Sequence, residues 1–195
     1  MISGFVFCAC FLLIMSTSLS RDFGLFLILC ILCLEVWNVA LGVVRACGLL
    51  YVILGVCGWW YVIDPYVIAG IVWASDVGGY LWGRSGRLVG EWGLGRSFPR
   101  LSPGKTYIGY FGSACTGRVV AYCFEMIGCS PTLPWYLIVF AACLGDLIGS
   151  AIKRHAGVQD YSQLIPGHGG LMDRWDSLLL VGIINLLLVD VNRVL

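Results

Sequence analysis

The chain has 195 residues, 59% of them hydrophobic and 12% charged, with a formal net charge of +1, and its mean hydropathy is +0.91. A soluble domain carries about 25% charged residues, so this composition excludes a soluble or disordered chain, and no nucleic-acid partner is expected. At about 20 apolar residues per span the length accommodates about six to seven transmembrane helices, so the expected fold is all-α, a polytopic integral membrane helical bundle without a separate soluble domain.

Apolar runs predict spans near 3–19, 23–42, 46–63, 66–83, 106–127, 133–152 and 177–193. The first run has the length of a signal peptide but lacks its basic leading segment, and reads as a membrane span. Arg21-Asp22 predicts a tight turn between the first two spans, the region of Arg45 separates the second from the third, and Asp64-Pro65 favours a turn before the fourth. Residues 1–65 are therefore expected to form N-terminal transmembrane helices, and 66–195 a second transmembrane region with two polar segments, 84–105 and 153–176. Those segments hold Arg84, Arg87, Arg96, Arg100, Lys105, Lys153, Arg154 and Arg174, eight of the twelve basic residues. Two spans lie between them, so both emerge on one face, which the basic bias makes cytoplasmic. The ten cysteines run from Cys8 to Cys143, all but Cys129 within these apolar runs. Cys30 and Cys33 form a CxxC without a second pair at zinc spacing, so they read as packing residues. Trp59, Trp60 and Tyr61, near a span end, read as an interfacial belt.

The polar chemistry concentrates in Gly145 to Ser177. Asp146, Ser150, Lys153 and Arg154 fall at i, i+4, i+7 and i+8, one face of one helix, and Asp173 and Asp176 share a face of the next. Between them lie Asp160 and the flexible turn His168-Gly169-Gly170. Carboxylates opposite lysines and arginines suit a metal-bound phosphate, a salt-bridged helix end being the alternative. Asp76 places an ionisable group inside a span, which marks either a functional site or a structural pairing. Gly78, Gly79 and Gly83 beside it leave the helix surface bare for close approach. In Ser102-Pro103-Gly104-Lys105-Thr106 a lysine and free N–H groups at a helix start favour an anion such as phosphate. The segment is not a Walker A loop, and a juxtamembrane anchor is its other reading. Glu35, and Arg118 with Glu125, also interrupt apolar runs, either to line an interior cavity or to pack and snorkel.

The block Ser150-Ala151-Ile152-Lys153-Arg154, then Gln159-Asp160 and Ile165-Pro166-Gly167-His168-Gly169-Gly170-Leu171-Met172-Asp173-Arg174-Trp175-Asp176 closely resembles the signature of phosphatidate cytidylyltransferases. Gly145-Asp146, Asp76 with its glycines and the Ser102 to Thr106 segment are similar to family motifs in the same order, so the resemblance covers roughly 70–195. It departs at Gln159, where the family usually has lysine, at Trp175, where it has an aliphatic residue or threonine, and in a shorter N-terminal part.

The resemblance implies that CTP and phosphatidate give CDP-diacylglycerol and pyrophosphate with Mg²⁺, the lipid phosphate attacking the α-phosphorus in line. It assigns Asp146 and Asp173 to the metal, and Asp176 and Asp160 to a further ligand, base or substrate-binding role. Lys105, Lys153, Arg154 and Arg174 are assigned to the phosphates, and Ser150 and His168 to orienting them. Asp76, Ser102, Thr106, Gly169 and Gly170 complete the substrate-binding set. It further implies a bacterial-type plasma membrane with the active site facing the cytoplasm, and leaves a second cation and a homodimer open. The alternatives are a CTP-dependent enzyme acting on an isoprenoid lipid and, from another class, an ion-coupled transporter using Asp76, Glu35 and Asp146.

Overall fold

The computed structural model describes residues 9–88, 95–98, 101–164 and 169–188. They form α1 (Ser18–Val39), α2 (Gly42–Trp60), α3 (Pro65–Leu88), β1 (Arg96–Phe98), β2 (Ser102–Thr106), α4 (Tyr107–Met126), α5 (Trp135–His155) and α6 (Met172–Leu188), after a helical stretch over 9–14. The chain is an all-α membrane protein with one two-stranded hairpin. By length and composition α1, α2 and α5 are each apolar enough to cross a membrane.

Local chemistry sets the helix ends. Thr17 caps α1: its hydroxyl accepts from the Ser20 N–H at 3.2 Å, and the Ser20 hydroxyl accepts from the Thr17 N–H at 3.2 Å. The first turn therefore falls before residue 18. Arg21 and Asp22, expected to form it, lie inside α1 because the Thr17–Ser20 box supplies the stronger start signal. Between α1 and α2 the chain reverses through Gly42 at φ +54°, a conformation that glycine adopts without strain. Arg45 sits just inside α2 and donates from Nε to the Ala40 carbonyl at 2.7 Å. Pro65 opens α3 at a position where the missing N–H has no helical partner to lose. Where a turn leading into a helix was expected, Ser102–Thr106 is a strand paired antiparallel with β1, Phe98 opposite Ser102 and Arg96 opposite Thr106. A two-stranded sheet consists only of edges, so Pro103 is tolerated within it.

α6 sits at the centre, against α2 and α5 with lesser contacts to α1 and α3, while α4 pairs with α3 and α5 bridges α3, α4 and α6. Lipid offers helices no hydrophobic drive to associate, so close backbone approach carries the packing. A Cβ added at Gly58 would collide with the Gly182 carbonyl, one at Gly182 with the Gly55 carbonyl, and one at Gly145 with the Asp176 carbonyl. Two hydrogen bonds seam α2 to α6: Trp59 Nε1 donates to the Leu178 carbonyl at 3.0 Å, and Asn185 Nδ2 to the Gly58 carbonyl at 3.1 Å.

Trp59 is fully buried, so it belongs to the core rather than to an interfacial belt. Its ring centroid lies 5.9 Å from that of Trp175 and 5.7 Å from that of Phe11. Arg118 and Glu125 pair with each other at 3.1 Å on the exposed side of α4, which satisfies both charges without an interior cavity. The nine described cysteines are free thiols.

Gly58→Ala places a methyl group against a backbone carbonyl that has no rotamer to escape through. It is expected to destabilise the protein by about 1–3 kcal/mol. Thermal unfolding in detergent should show a lowered midpoint for this variant and none for Gly95→Ala, where the space is open.

Candidate active site

A cavity of about 460 Å³ lies where α3, β2, the start of α4, α5 and the start of α6 meet. Lys105, next to last in β2, enters it, held there because Thr106 caps α4 by accepting from the Gly109 N–H at 3.2 Å. Its ammonium pairs with Asp146 of α5. Burial alone would lower the Lys105 pKa, but the adjacent Asp146 carboxylate outweighs it and holds the value above the ordinary lysine range. Two turns along α5, Lys153 Nζ meets Asp173 Oδ1 at 2.6 Å.

Asp173 lies in the first turn of α6, where a carboxylate favours the helix dipole. Its Oδ2 accepts from the N–H groups of Gly170 at 2.8 Å and Tyr161 at 3.1 Å. Gly169 adopts φ +80°, and a Cβ there would stand 2.8 Å from Asp173 Oδ2, so this turn requires glycine twice over. Asp176 is buried against α5, its Cβ 2.8 Å from where a side chain at Gly149 would begin. Its Oδ1 accepts from the Ser177 N–H at 2.8 Å. Tyr161 donates from Oη to the Gly149 carbonyl at 3.1 Å. Burial first, then Asp176, Asp173 and Glu35, push that phenol well above its usual range, so it stays protonated and remains a donor.

Eight of the residues expected in the site line the cavity: Asp76, Ser102, Lys105, Thr106, Asp146, Asp173, Arg174 and Asp176. Lys153 reaches them through Asp173, and Gly170 through its N–H. Ser150 is buried within α5 and is not among the lining residues. Arg154 is exposed and donates from Nη1 to the Val158 carbonyl at 2.9 Å, closing the end of α5. Asp160 and Gln159 are exposed and not among the lining residues, although Asp160 Oδ1 lies 3.4 Å from where a Cβ at Gly169 would stand, beside Asp173. His168 lies outside the described residues. Tyr80, Tyr110, Ser113, Cys143 and Ser177 also line the cavity; each reads in sequence as an ordinary residue of an apolar run.

Glu35 of α1 is the residue whose role the sequence did not disclose. It is buried, and its Oε1 accepts from the Ser162 hydroxyl at 2.6 Å and the Leu171 N–H at 2.9 Å, while Oε2 accepts from the Met172 N–H at 2.6 Å. These are open N–H groups at the start of α6. Glu35 thus caps, from another helix, the helix that carries Asp173 and Asp176. Gly170 makes room for it, since a Cβ there would lie 2.7 Å from Glu35 Oε1. The only sequence signal was an acidic residue inside a span.

The profile of the cytidylyltransferase family matches residues 1–191. A phosphatidate cytidylyltransferase of Staphylococcus epidermidis is 37% identical over 127 residues, 62% of this chain and 46% of the relative. Relatives of the same description from Bacillus subtilis and Haemophilus influenzae are 36% and 38% identical, over 57% and 60% of this chain and 41% and 45% of their own length. The matched region thus spans less than half the length of these relatives. With the family profile running from residue 1 to residue 191, the chain belongs to the cytidylyltransferase family.

Proposed function

We propose that the chain is a CTP:phosphatidate cytidylyltransferase of a bacterial-type plasma membrane, with its site open to the cytoplasm. The observation that carries this reading is the convergence on one cavity of Lys105 from the first polar segment, paired with Asp146 of α5, and the Lys153–Asp173 pair from the second. The names of the relatives support it. In this reading α3, α4 and α6 cross the membrane beside α1, α2 and α5.

The lipid phosphate oxygen attacks the α-phosphorus of CTP, the bond to the β-phosphate bridging oxygen breaks, and pyrophosphate leaves with that electron pair. A phosphate monoester is already ionised near neutral pH, so the protein supplies position and charge rather than a base. Lys105, Lys153 and Arg174 neutralise non-bridging oxygens, and the N–H groups at the start of α4 present further donors to an anion. Glu35 and Lys153 fix α6 so that Asp173 and Asp176 keep their aim.

Magnesium fits the donors present. Among the described residues no group of three or more ligands forms a closed cage. Mg²⁺, however, characteristically takes one or two carboxylates and leaves the rest to water and substrate phosphates. Asp146 and Asp173, hard oxygen donors on one cavity, would hold it. When bound it would offset the charge that builds on the reacting phosphates.

Purified full-length protein in detergent with Mg²⁺, CTP and phosphatidate is expected to release pyrophosphate in step with CDP-diacylglycerol. Solute flux without pyrophosphate would instead identify a transporter. Asp173→Asn should reduce turnover about 100-fold or more while gel filtration shows an intact protein; undiminished turnover would remove Asp173 from the reaction. Glu35→Ala leaves buried N–H groups of Leu171 and Met172 unpaired, at a cost of about 1–3 kcal/mol each. It is expected to lower kcat more than it raises KM for CTP, with partial recovery in Glu35→Gln, and steady-state kinetics of the three proteins checks this.

A further inference from the structure

A second cavity, about 400 Å³, lies between α4 and α5. Its walls are apolar: Ala114 of α4 faces Tyr136, Phe140, Leu144 and Leu147 of α5. The volume is that of a ligand pocket. Tyr110 and Cys143 line this cavity and the polar one alike, so the two adjoin at these side chains. Lys105 Nζ, paired with Asp146, stands 5.8 Å from the centroid of the Tyr110 ring, which puts a lysine side chain at the junction. From Leu147 back to Tyr136 the groove follows α5 for roughly 17 Å, about half of a 30 Å hydrocarbon core. Tyr136 is 61% and Phe140 60% exposed, so the groove opens sideways from the bundle, toward hydrocarbon in a membrane.

We propose that this groove holds one acyl chain of the lipid substrate, with the lipid phosphate at Lys105 and the glycerol backbone at the Tyr110–Cys143 junction. The inference rests on the reading above that a phosphatidic lipid is the acceptor. The molecule implied has an anion at one end and a chain about one leaflet long at the other, the order in which the two cavities lie side by side. A zwitterionic bulk lipid meets the apolar half of this demand but offers no free phosphate monoester to Lys105, so the headgroup is selected at the end of β2. Chain length is read along α5 and headgroup charge at the end of β2, so the two are read separately.

Full-length protein in phosphatidylcholine nanodiscs, doped in parallel with phosphatidate or phosphatidylcholine carrying a diazirine on one acyl chain, tests the site without turnover. Irradiation and peptide mapping are expected to place the label on Ala114, Phe140 or Leu144, with phosphatidate favoured over phosphatidylcholine several-fold. Equal labelling by the two lipids, or phosphatidate label confined to other helices, would overturn the proposal. In the kinetic arm, Ala114→Trp fills the groove. It is expected to raise the ratio of kcat/KM for a short-chain over a long-chain phosphatidate about tenfold, the equivalent of about two buried methylenes; an unchanged ratio counts against the groove. Absence of pyrophosphate from either lipid with the wild-type protein would defeat the enzymatic reading, while selective labelling would still support the binding site.

Discussion

The ion pair between Lys153 and Asp173, 2.6 Å long and largely shielded, is the contact on which the site depends. It ties α5 to α6, and the other oxygen of the same carboxylate gathers the loop through the Tyr161 and Gly170 N–H groups. A charge withdrawn from water is tolerated only when its hydrogen-bonding capacity is met. Asp173 meets it with one cation and two backbone donors, from both sides of the residues that connect α5 to α6. The pair therefore acts mainly as a geometric constraint, since desolvation offsets much of the Coulombic attraction.

The second constraint is the closeness of the backbones. Gly145 and Gly149 let α6 approach α5 until Asp176 lies against its surface, and Gly55, Gly58 and Gly182 do the same for α2 and α6. At such separations side chains hydrogen-bond directly to carbonyls of neighbouring helices, as Trp59, Asn185 and Tyr51 do. The polar cavity consequently has walls of backbone-packed helix on several sides, a support suited to a reaction that relies on positioning.

Much of the site was legible because it obeys helical spacing. Asp146 with Lys153, and Asp173 with Asp176, could be placed on common faces from sequence alone, and the two spans between the polar segments led to the expectation of one common side. Glu35 was not legible: two of its three partners are backbone N–H groups more than 130 residues away at Leu171 and Met172, and a backbone donor leaves no mark in sequence. Arg21-Asp22 misled because charge outweighed the quieter capping signal of Thr17 and Ser20. Trp59 misled because an aromatic residue near a span end looks the same in sequence whether it meets lipid headgroups or another tryptophan. Arg154 follows the helical pattern of its neighbours but turns to a local carbonyl at the helix end, a choice that spacing does not determine.

Trp175 lies between the two carboxylates of α6 in sequence and on the other side of the helix in space. It is fully buried, with its ring centroid 6.0 Å from that of Phe11 and 5.9 Å from that of Trp59. Each residue advances an α-helix by about 100°, so even a small roll of α6 would swing Asp173 and Asp176 off the cavity. It would also have to drag the indole through two other aromatic rings. The indole acts as a keel: its N–H bonds to neither carboxylate, yet it fixes the azimuth of both.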